Sequence, residues 1–252
     1  MRSKSQVGHI VWHDLLTNAV DKAKQFYAEL LSWDYQVEHA SDCSWQPGEA
    51  DYPLIMSRGI AHGGMIDFGP NDTSRWLGYV SVEDVDAVAQ RAVRLGATLD
   101  REPFDVPGVG RNAVIQDPQG ALIGLTTPTH SFPPPEGAFL ADVLITADVE
   151  LAKRFYTELF AWQAQDKDKY IFVRTAEDAH RVGTAIGSPA DTGPAGWVPM
   201  IATTDINLTL TRAKALGASR ATQAADESDT VPNTILIDPT GALFGLSPTS
   251  TP

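Results

Sequence analysis

The run Gly8 to Leu16, "GHIVWHDLL", is rich in apolar residues and reads as a strand. From Asn18 to Trp33 the period changes. Ala19, Val20, Ala23, Phe26, Tyr27, Leu30 and Leu31 recur at steps of three and four, the spacing of one helix face, and Thr17 or Asn18 is the expected N-cap. "YPLIMSR" and "IAHGGMIDF" then read as strands of a meander. The same order restarts at Trp76. "WLGYVSV" is a strand, and Val85, Val88, Ala89, Ala92, Val93 and Leu95 mark a helix that Gly96 closes. "FDVPG", "GRNAVIQ" and "ALIGLTT" supply further strands. Each unit is thus a strand, a helix and about three strands.

The whole pattern then occurs a second time. "WLGYVSVEDVDAV" from Trp76 parallels "WVPMIATTDINLT" from Trp197, "LGAT" from Leu95 parallels "LGAS" from Leu216, and "DPQGALIGL" from Asp117 parallels "DPTGALFGL" from Asp238. All three matches share an offset of 121 residues. "AKQFYAELLSW" from Ala23 answers "AKRFYTELFAW" from Ala152 at an offset of 129, so the first copy carries 8 extra residues between Trp33 and Trp76. "ASDCSWQPGEADY" (Ala40 to Tyr52) is the expected insertion, being polar and irregular.

The chain therefore divides into residues 1–127 (units about 7–68 and 75–127), a stiff Pro-rich linker at 128–136, and residues 137–252 (units about 137–187 and 195–248). Such a unit cannot bury a sheet face alone. Paired units predict an α+β fold in which each half is a curled mixed sheet around a cavity with helices outside. "DPQG" and "DPTG" read as tight turns before the last strand of each half.

Composition narrows the function. The 252 residues carry 32 Asp and Glu against 19 Lys and Arg, a formal charge of −13. That acidity disfavours nucleic acid and anionic membrane surfaces as partners. Cys43 is the only cysteine, so no internal disulfide can form, and no neighbouring cation in the sequence activates it as a nucleophile. No signal-peptide core or long apolar run is present, and a cytoplasmic protein, monomeric with internal pseudo-symmetry or homodimeric, is expected.

The helix motif "T-x-x-V-x-x-A-K-x-F-Y", the "V-x-D-V-D" before the second helix and "D-P-x-G-x-x-x-x-L" at the end of each half carry a resemblance that spans nearly the whole chain. With them the sequence resembles the vicinal oxygen chelate superfamily of glyoxalases, bleomycin-resistance proteins and dioxygenases. Within it, the sequence resembles the two-domain mycobacterial Cfp30B-like subgroup. The resemblance implies four βαβββ units in two tandem glyoxalase-like domains. It also implies that metal-using members place ligands in the first strand of a unit and at a Glu seven residues after the Asp of the turn. A divalent metal needs such N and O donors to converge. Carried over one position at a time, these places hold Trp12, Leu77 and Gly124 in the first half and Ala141, Val198 and Gly245 in the second. None of the six ligates through its side chain, so no metal or other cofactor is expected, with a divalent metal at non-standard positions as the alternative.

Other candidates are weaker. His9 and His13 would lie about 13 Å apart along one face of a strand, too far to share a metal. "GVGRNA" from Gly108 mimics a dinucleotide fingerprint but leads into a strand. The first cavity instead offers Trp12, Asp14, Tyr79, Ser81 and Leu122, with Arg111 or Asn112 beside them, as an apolar and aromatic body with a few polar anchors. Asp14 and Tyr79 are the catalytic candidates, Asp14 as a general base. Trp12, Trp45, Tyr52, Arg111 and Leu122 are the ligand-binding candidates. Trp45 and Tyr52 fall in the insertion, as a lid or a surface loop. The second cavity, with Ala141, Val143, Val198 and Met200, reads as more apolar.

Three functions compete, in this order. The first is a small-molecule binder that needs no metal. The second is a metal-independent isomerase, lyase or hydroxylase acting on a carbonyl or phenolic compound. The third is a metal-dependent glyoxalase, lyase or extradiol dioxygenase with displaced ligands.

Overall fold

The computed structural model describes residues 6–41, 49–69, 73–130, 135–160, 162–167, 170–175, 181–187, 196–221 and 234–249. The first half runs β1 (Ile10–Thr17), α1 (Val20–Leu31), β2 (Asp34–Ser41), β3 (Glu49–Ser57), β4 (Ile60–Asp67), β5 (Arg75–Ser81), α2 (Val85–Arg94), β6 (Thr98–Val106), β7 (Gly110–Gln116) and β8 (Leu122–Pro128). The second half repeats the order with β9 (Phe139–Thr146), α3 (Val149–Leu159), β10 (Trp162–Lys167), β11 (Tyr170–Thr175) and β12 (Arg181–Gly187). It closes with β13 (Gly196–Thr203), α4 (Ile206–Ala215), β14 (Ser219–Arg220), β15 (Ile235–Ile237) and β16 (Leu243–Pro248).

Each half makes one eight-stranded mixed sheet, in the order β2-β3-β4-β1-β5-β8-β7-β6 and β10-β11-β12-β9-β13-β16-β15-β14. β1 with β4 and β5 with β8 are parallel, while the meanders β2-β3-β4 and β6-β7-β8 are antiparallel. The fold is the expected α+β arrangement of four strand–helix–strand units. The residue pattern gives no sign of β2 and sets Tyr52 in an irregular insertion. Tyr52 is a residue of β3, so much of that segment is ladder.

Three helices start on an aspartate whose side chain takes up a free N–H of the first turn. Asp84 accepts from Ala87 at 3.0 Å, Asp148 from Leu151 at 2.9 Å and Asp205 from Leu208 at 2.9 Å. α1 lacks this cap. It begins at Val20, two residues later than expected, and Thr17 Oγ1 accepts from the Ala19 N–H at 3.1 Å instead. α1, α2 and α3 bury one apolar stripe each, such as Ala23, Phe26, Tyr27 and Leu30 on α1, whereas α4 buries Thr209 and Ala213. Full burial of each large side chain stabilises by about 1.5–3 kcal/mol. Gly96 and Gly217 follow α2 and α4 at φ +98° and +97°, where a Cβ would be strained.

The contacts also group the chain into two compact units. One comprises Met1–Trp12, Leu77–Pro134 and Ala141–Trp197; the other comprises His13–Trp76, Pro135–Leu140 and Val198–Pro252. Each unit draws on both halves of the sequence. In the first, α2 packs on α3 over a core that includes Val85, Ile123, Leu125, Phe155 and Tyr156. In the second, α1 packs on α4 over Leu15, Phe26, Tyr27, Met65 and Phe244.

Both units hold the same buried polar triad, and the repeated "DPxG" phrase supplies its centre. In the first, the Tyr156 hydroxyl donates to Asp117 Oδ2 at 2.9 Å and accepts from Trp197 Nε1 at 2.9 Å. Asp117 Oδ1 accepts from the N–H groups of Gln119 and Ala121, which shapes the turn. In the second, Tyr27 donates to Asp238 Oδ2 at 2.9 Å and accepts from Trp76 Nε1 at 3.2 Å, while Asp238 Oδ1 takes Thr240 and Ala242 N–H. Both carboxylates are buried, and every oxygen has a donor, as a buried charge requires. Burial and then the neighbouring Asp charge push both tyrosines well above their ordinary pKa, so both stay protonated donors. Each triad takes its Tyr and Trp from one half of the sequence and its Asp from the other.

Candidate functional site

Strand alternation sorts β1 into two sides. Leu15 joins the helix-side core, and His13, on the same side, stacks on Phe139 with ring centroids 4.2 Å apart. Asp14 and Leu16 point to the opposite side. Asp14 is buried, at 5% exposure, and its Oδ1 accepts the Tyr52 hydroxyl at 2.6 Å. That length is at the short end of the range for an O–H donor on an oxygen acceptor.

Two glycines make this possible. β1 and β4 run parallel with His13 opposite Gly63 and Asp14 opposite Gly64. A Cβ on Gly63 would lie 2.2 Å from the His13 carbonyl oxygen, so β4 approaches β1 only because the side chain is missing. A Cβ on Gly64 would lie 2.1 Å from Tyr52 Cζ and 2.1 Å from its hydroxyl oxygen. The Tyr52 ring therefore rests on bare backbone at Gly64 and reaches across it to Asp14. His62, two residues earlier on β4, is buried, and loss of hydration pushes its pKa down against a hydrogen bond with the Ser57 backbone.

The other unit holds the remaining candidates. Tyr79 on β5 faces Gly124 on β8 in register, and a Cβ there would lie 2.3 Å from Tyr79 Cδ1. Leu122 is buried two residues before Gly124, on the same side of β8, whereas Ile123 and Leu125 belong to the helix-side core. Asn112, opposite Thr126, lies on the Gly124 side of the sheet. Arg111 lies on the helix side of β7. Its Nη2 donates to Asp86 Oδ1 on α2 at 2.8 Å, its Nε donates to the other oxygen of Asp86, and its Nη1 donates to Asp105 at 3.1 Å. The hydrogen bonds from Arg111 hold the Asp86 carboxyl below its ordinary pKa, and those carboxylates raise Arg111. Arg111, expected among the ligand-binding residues, is thus engaged in bracing α2 against β7. Trp12 is half-buried on β1. Trp45 and Cys43 lie outside the described residues.

The second half departs from the first. Register places Val143 where the first half has Asp14, and Thr184 where it has Gly64. Gly245 sits opposite Met200, and its Cβ would lie 2.2 Å from Met200 Sδ and 3.5 Å from Ile235 Cγ1. Val143, Val198 and Met200 are buried and apolar. Polar anchoring of the Asp14 kind is absent from those positions.

The fit of a metal follows from these donors. The two positions where a Glu ligand is expected hold glycine, and the space a longer side chain would need is filled by Tyr79 in one case and Met200 in the other. Among the described residues, no group of three or more His, Cys, Asp or Glu side chains is placed to hold a metal ion. The residues present do not match the expected ligand set. Among the described residues, no helix is long and apolar enough to cross a membrane.

The sequence named Asp14 and Tyr52 separately. Spacing along the chain gives no sign of their hydrogen bond or of the role of Gly64. The signal was the "GG" doublet inside "IAHGGMIDF", since glycine within a strand marks a close approach of other atoms.

Fold and site together define a glyoxalase-like protein. The chain belongs to the Glyoxalase-like domain family, whose pattern matches twice, over residues 11–126 and 139–247. Among its relatives is the glyoxylase candidate CFP32 of Mycobacterium tuberculosis, 28% identical over 257 residues, covering 97% of this chain and 96% of the relative. Another is the anthracycline biosynthesis protein DauV of a Streptomyces species, 26% identical over 267 residues, covering 95% and 92%. Similar solved structures include the Mn(II)-bound glyoxalase of Novosphingobium aromaticivorans, with a TM-score of 0.62 at 15% identity over 96% of this chain and 82% of that one. A homoprotocatechuate 2,3-dioxygenase variant of B. fuscum in complex with HPCA scores 0.59 at 14% identity, over 100% and 74%. These structures share the fold.

Proposed function

We propose that this chain binds a compact small molecule at the Asp14 side of its first half and does so without a protein-bound metal. One observation carries the reading: the first-half sheet buries a carboxyl group, Asp14, paired with Tyr52, while the glycines at the expected Glu positions are covered by Tyr79 and Met200. A buried carboxylate beside a bare strand surface suits a flat apolar, aromatic or carbonyl compound with one hydrogen-bond donor or cationic group. The relatives named for anthracycline biosynthesis make anthracyclines a first ligand class to test.

The test is a thermal-shift screen of tag-free protein, with and without chelator, alongside elemental analysis. Ligand stabilisation that survives chelation is expected, because a compound that binds the native state raises its stability. Stoichiometric Fe, Mn, Ni or Zn, released only by chelator with loss of binding, overturns the reading. If an identified ligand is turned over, Asp14 is the expected proton acceptor, and Asp14→Asn then abolishes turnover.

A further inference from the structure

We infer that the ligand of this face is a phenol, and that Tyr52 is the chain's own competitor for its place. The inference rests on the reading of the Asp14 side as a binding site, and it adds the chemistry of the ligand and the role of one residue.

The Tyr52 ring edge and hydroxyl lie within 2.1–2.4 Å of where a Gly64 side chain would begin, a position open only because residue 64 has none. Its hydroxyl reaches a carboxyl group that is otherwise buried. Tyr52 itself is half exposed on β3. Floor and acceptor together are a receptor for a planar ring that carries a hydroxyl donor, and Tyr52 shows what fits it. Nothing in the fold requires the arrangement, because the second half builds the same strands with Val143 and Thr184 at the two positions. A phenolic ligand meets the same floor and the same acceptor once the Tyr52 side chain turns outward. An aryl ether cannot donate, and a phenolate is repelled by the carboxylate. The site therefore separates a phenol from its methyl ether.

The sign of one substitution decides between this role and an ordinary supporting one. A tyrosine that orients Asp14 for a ligand weakens binding when it is lost; a tyrosine that occupies the ligand's place strengthens it. Titration of wild-type chain, Tyr52→Phe and Tyr52→Ala with p-cresol and 4-methylanisole is the experiment. Removing a competing hydrogen bond to a carboxylate is expected to tighten p-cresol binding about tenfold or more in Tyr52→Phe. Tyr52→Ala, which also clears the ring, binds at least as tightly as Tyr52→Phe. The ether gains far less than p-cresol in either variant, and Asp14→Asn in the Tyr52→Phe background loses the gain. Unchanged or weaker p-cresol binding in Tyr52→Phe overturns the inference, as does an equal gain for the ether. If another compound stabilises the wild-type chain without metal while these variants show no gain, the binding function stands and the phenol inference falls. Gly64→Ala in the Tyr52→Ala background keeps the carboxylate but fills the floor, and is expected to lose p-cresol; retention there also overturns the inference. Circular dichroism verifies that each variant is folded.

Discussion

Replacing Tyr156 by Phe keeps the ring and its packing and removes a single oxygen. Two buried groups lose their partner at once. Asp117 Oδ2 loses its hydroxyl donor at 2.9 Å, and Trp197 Nε1–H loses its acceptor at 2.9 Å. A hydrogen bond to a charged group is worth about 1.5–3 kcal/mol, and a buried donor left unmade costs about 1–3 kcal/mol. Because the two losses share one atom they do not simply add, and a destabilisation of about 3–5 kcal/mol is expected. For a chain of this size that lowers Tm by about 6–20 °C. Tyr27→Phe is the matching change in the other unit and should cost a similar amount. The two triads share no partner, so the double variant should show the sum. Tyr35→Phe is the control, since that hydroxyl bonds only a partly buried backbone carbonyl at 3.2 Å, worth about 1 kcal/mol or less. Differential scanning calorimetry measures all four. A Tm for Tyr156→Phe that matches the Tyr35→Phe control refutes the assignment of the triad as a main fastening of its unit.

The glycines give two further tests. Gly124→Ala forces a methyl group into the Tyr79 ring and should cost about 1–3 kcal/mol in urea unfolding. Adding Tyr79→Ala should make the Gly124→Ala change nearly free, and an undiminished cost in that background would show that the ring is not what blocks the position. Gly63→Ala meets the His13 backbone oxygen, which cannot turn away, so no side-chain change nearby should restore it and expression of folded protein should fall. His62 gives the pH dependence. Its folded pKa lies below the ordinary value near 6.5, so the fold favours the neutral ring. The stability it contributes is whole above about pH 6.5 and is lost as pH falls through the lowered value. The stability difference between wild type and His62→Asn should therefore shift against wild type from pH 7.5 to 5, and a constant difference would contradict it.

Most of the architecture is legible along the chain. The helices announce themselves by spacing, and the 121-residue offset reveals the duplication without any model of its shape. What the repeats cannot say is which pieces touch. Tyr156 and Asp117 are 39 residues apart and Tyr27 and Asp238 are 211 apart. Both pairs are visible as recurring letters, but a local pattern carries no information about a contact that closes only when two halves fold together. The same limit applies at the site. Asp14 is readable as an inward carboxylate by alternation, and Gly124 as a missing ligand. That Tyr52 belongs to a strand depended on β2 pairing with β3, and "DYQVEHAS" is too polar to declare itself as an edge strand. Arg111 and Asn112 stay alternatives along the chain for a similar reason: a shift of one residue in strand parity moves a side chain from one face of the sheet to the other.

The reciprocal triads constrain how this protein could have changed since its duplication. Each half holds in trust an aspartate that the other half's helix needs, so neither copy was free to decay once they were joined. The positions that face away from the helices carry no such mutual debt. Asp14 and Gly64 could stay in one copy while Val143 and Thr184 took their places in the other, and the fold would not register the difference. Shared obligation in the core and independence on the opposite face let the two halves differ at these positions while the paired core stays the same.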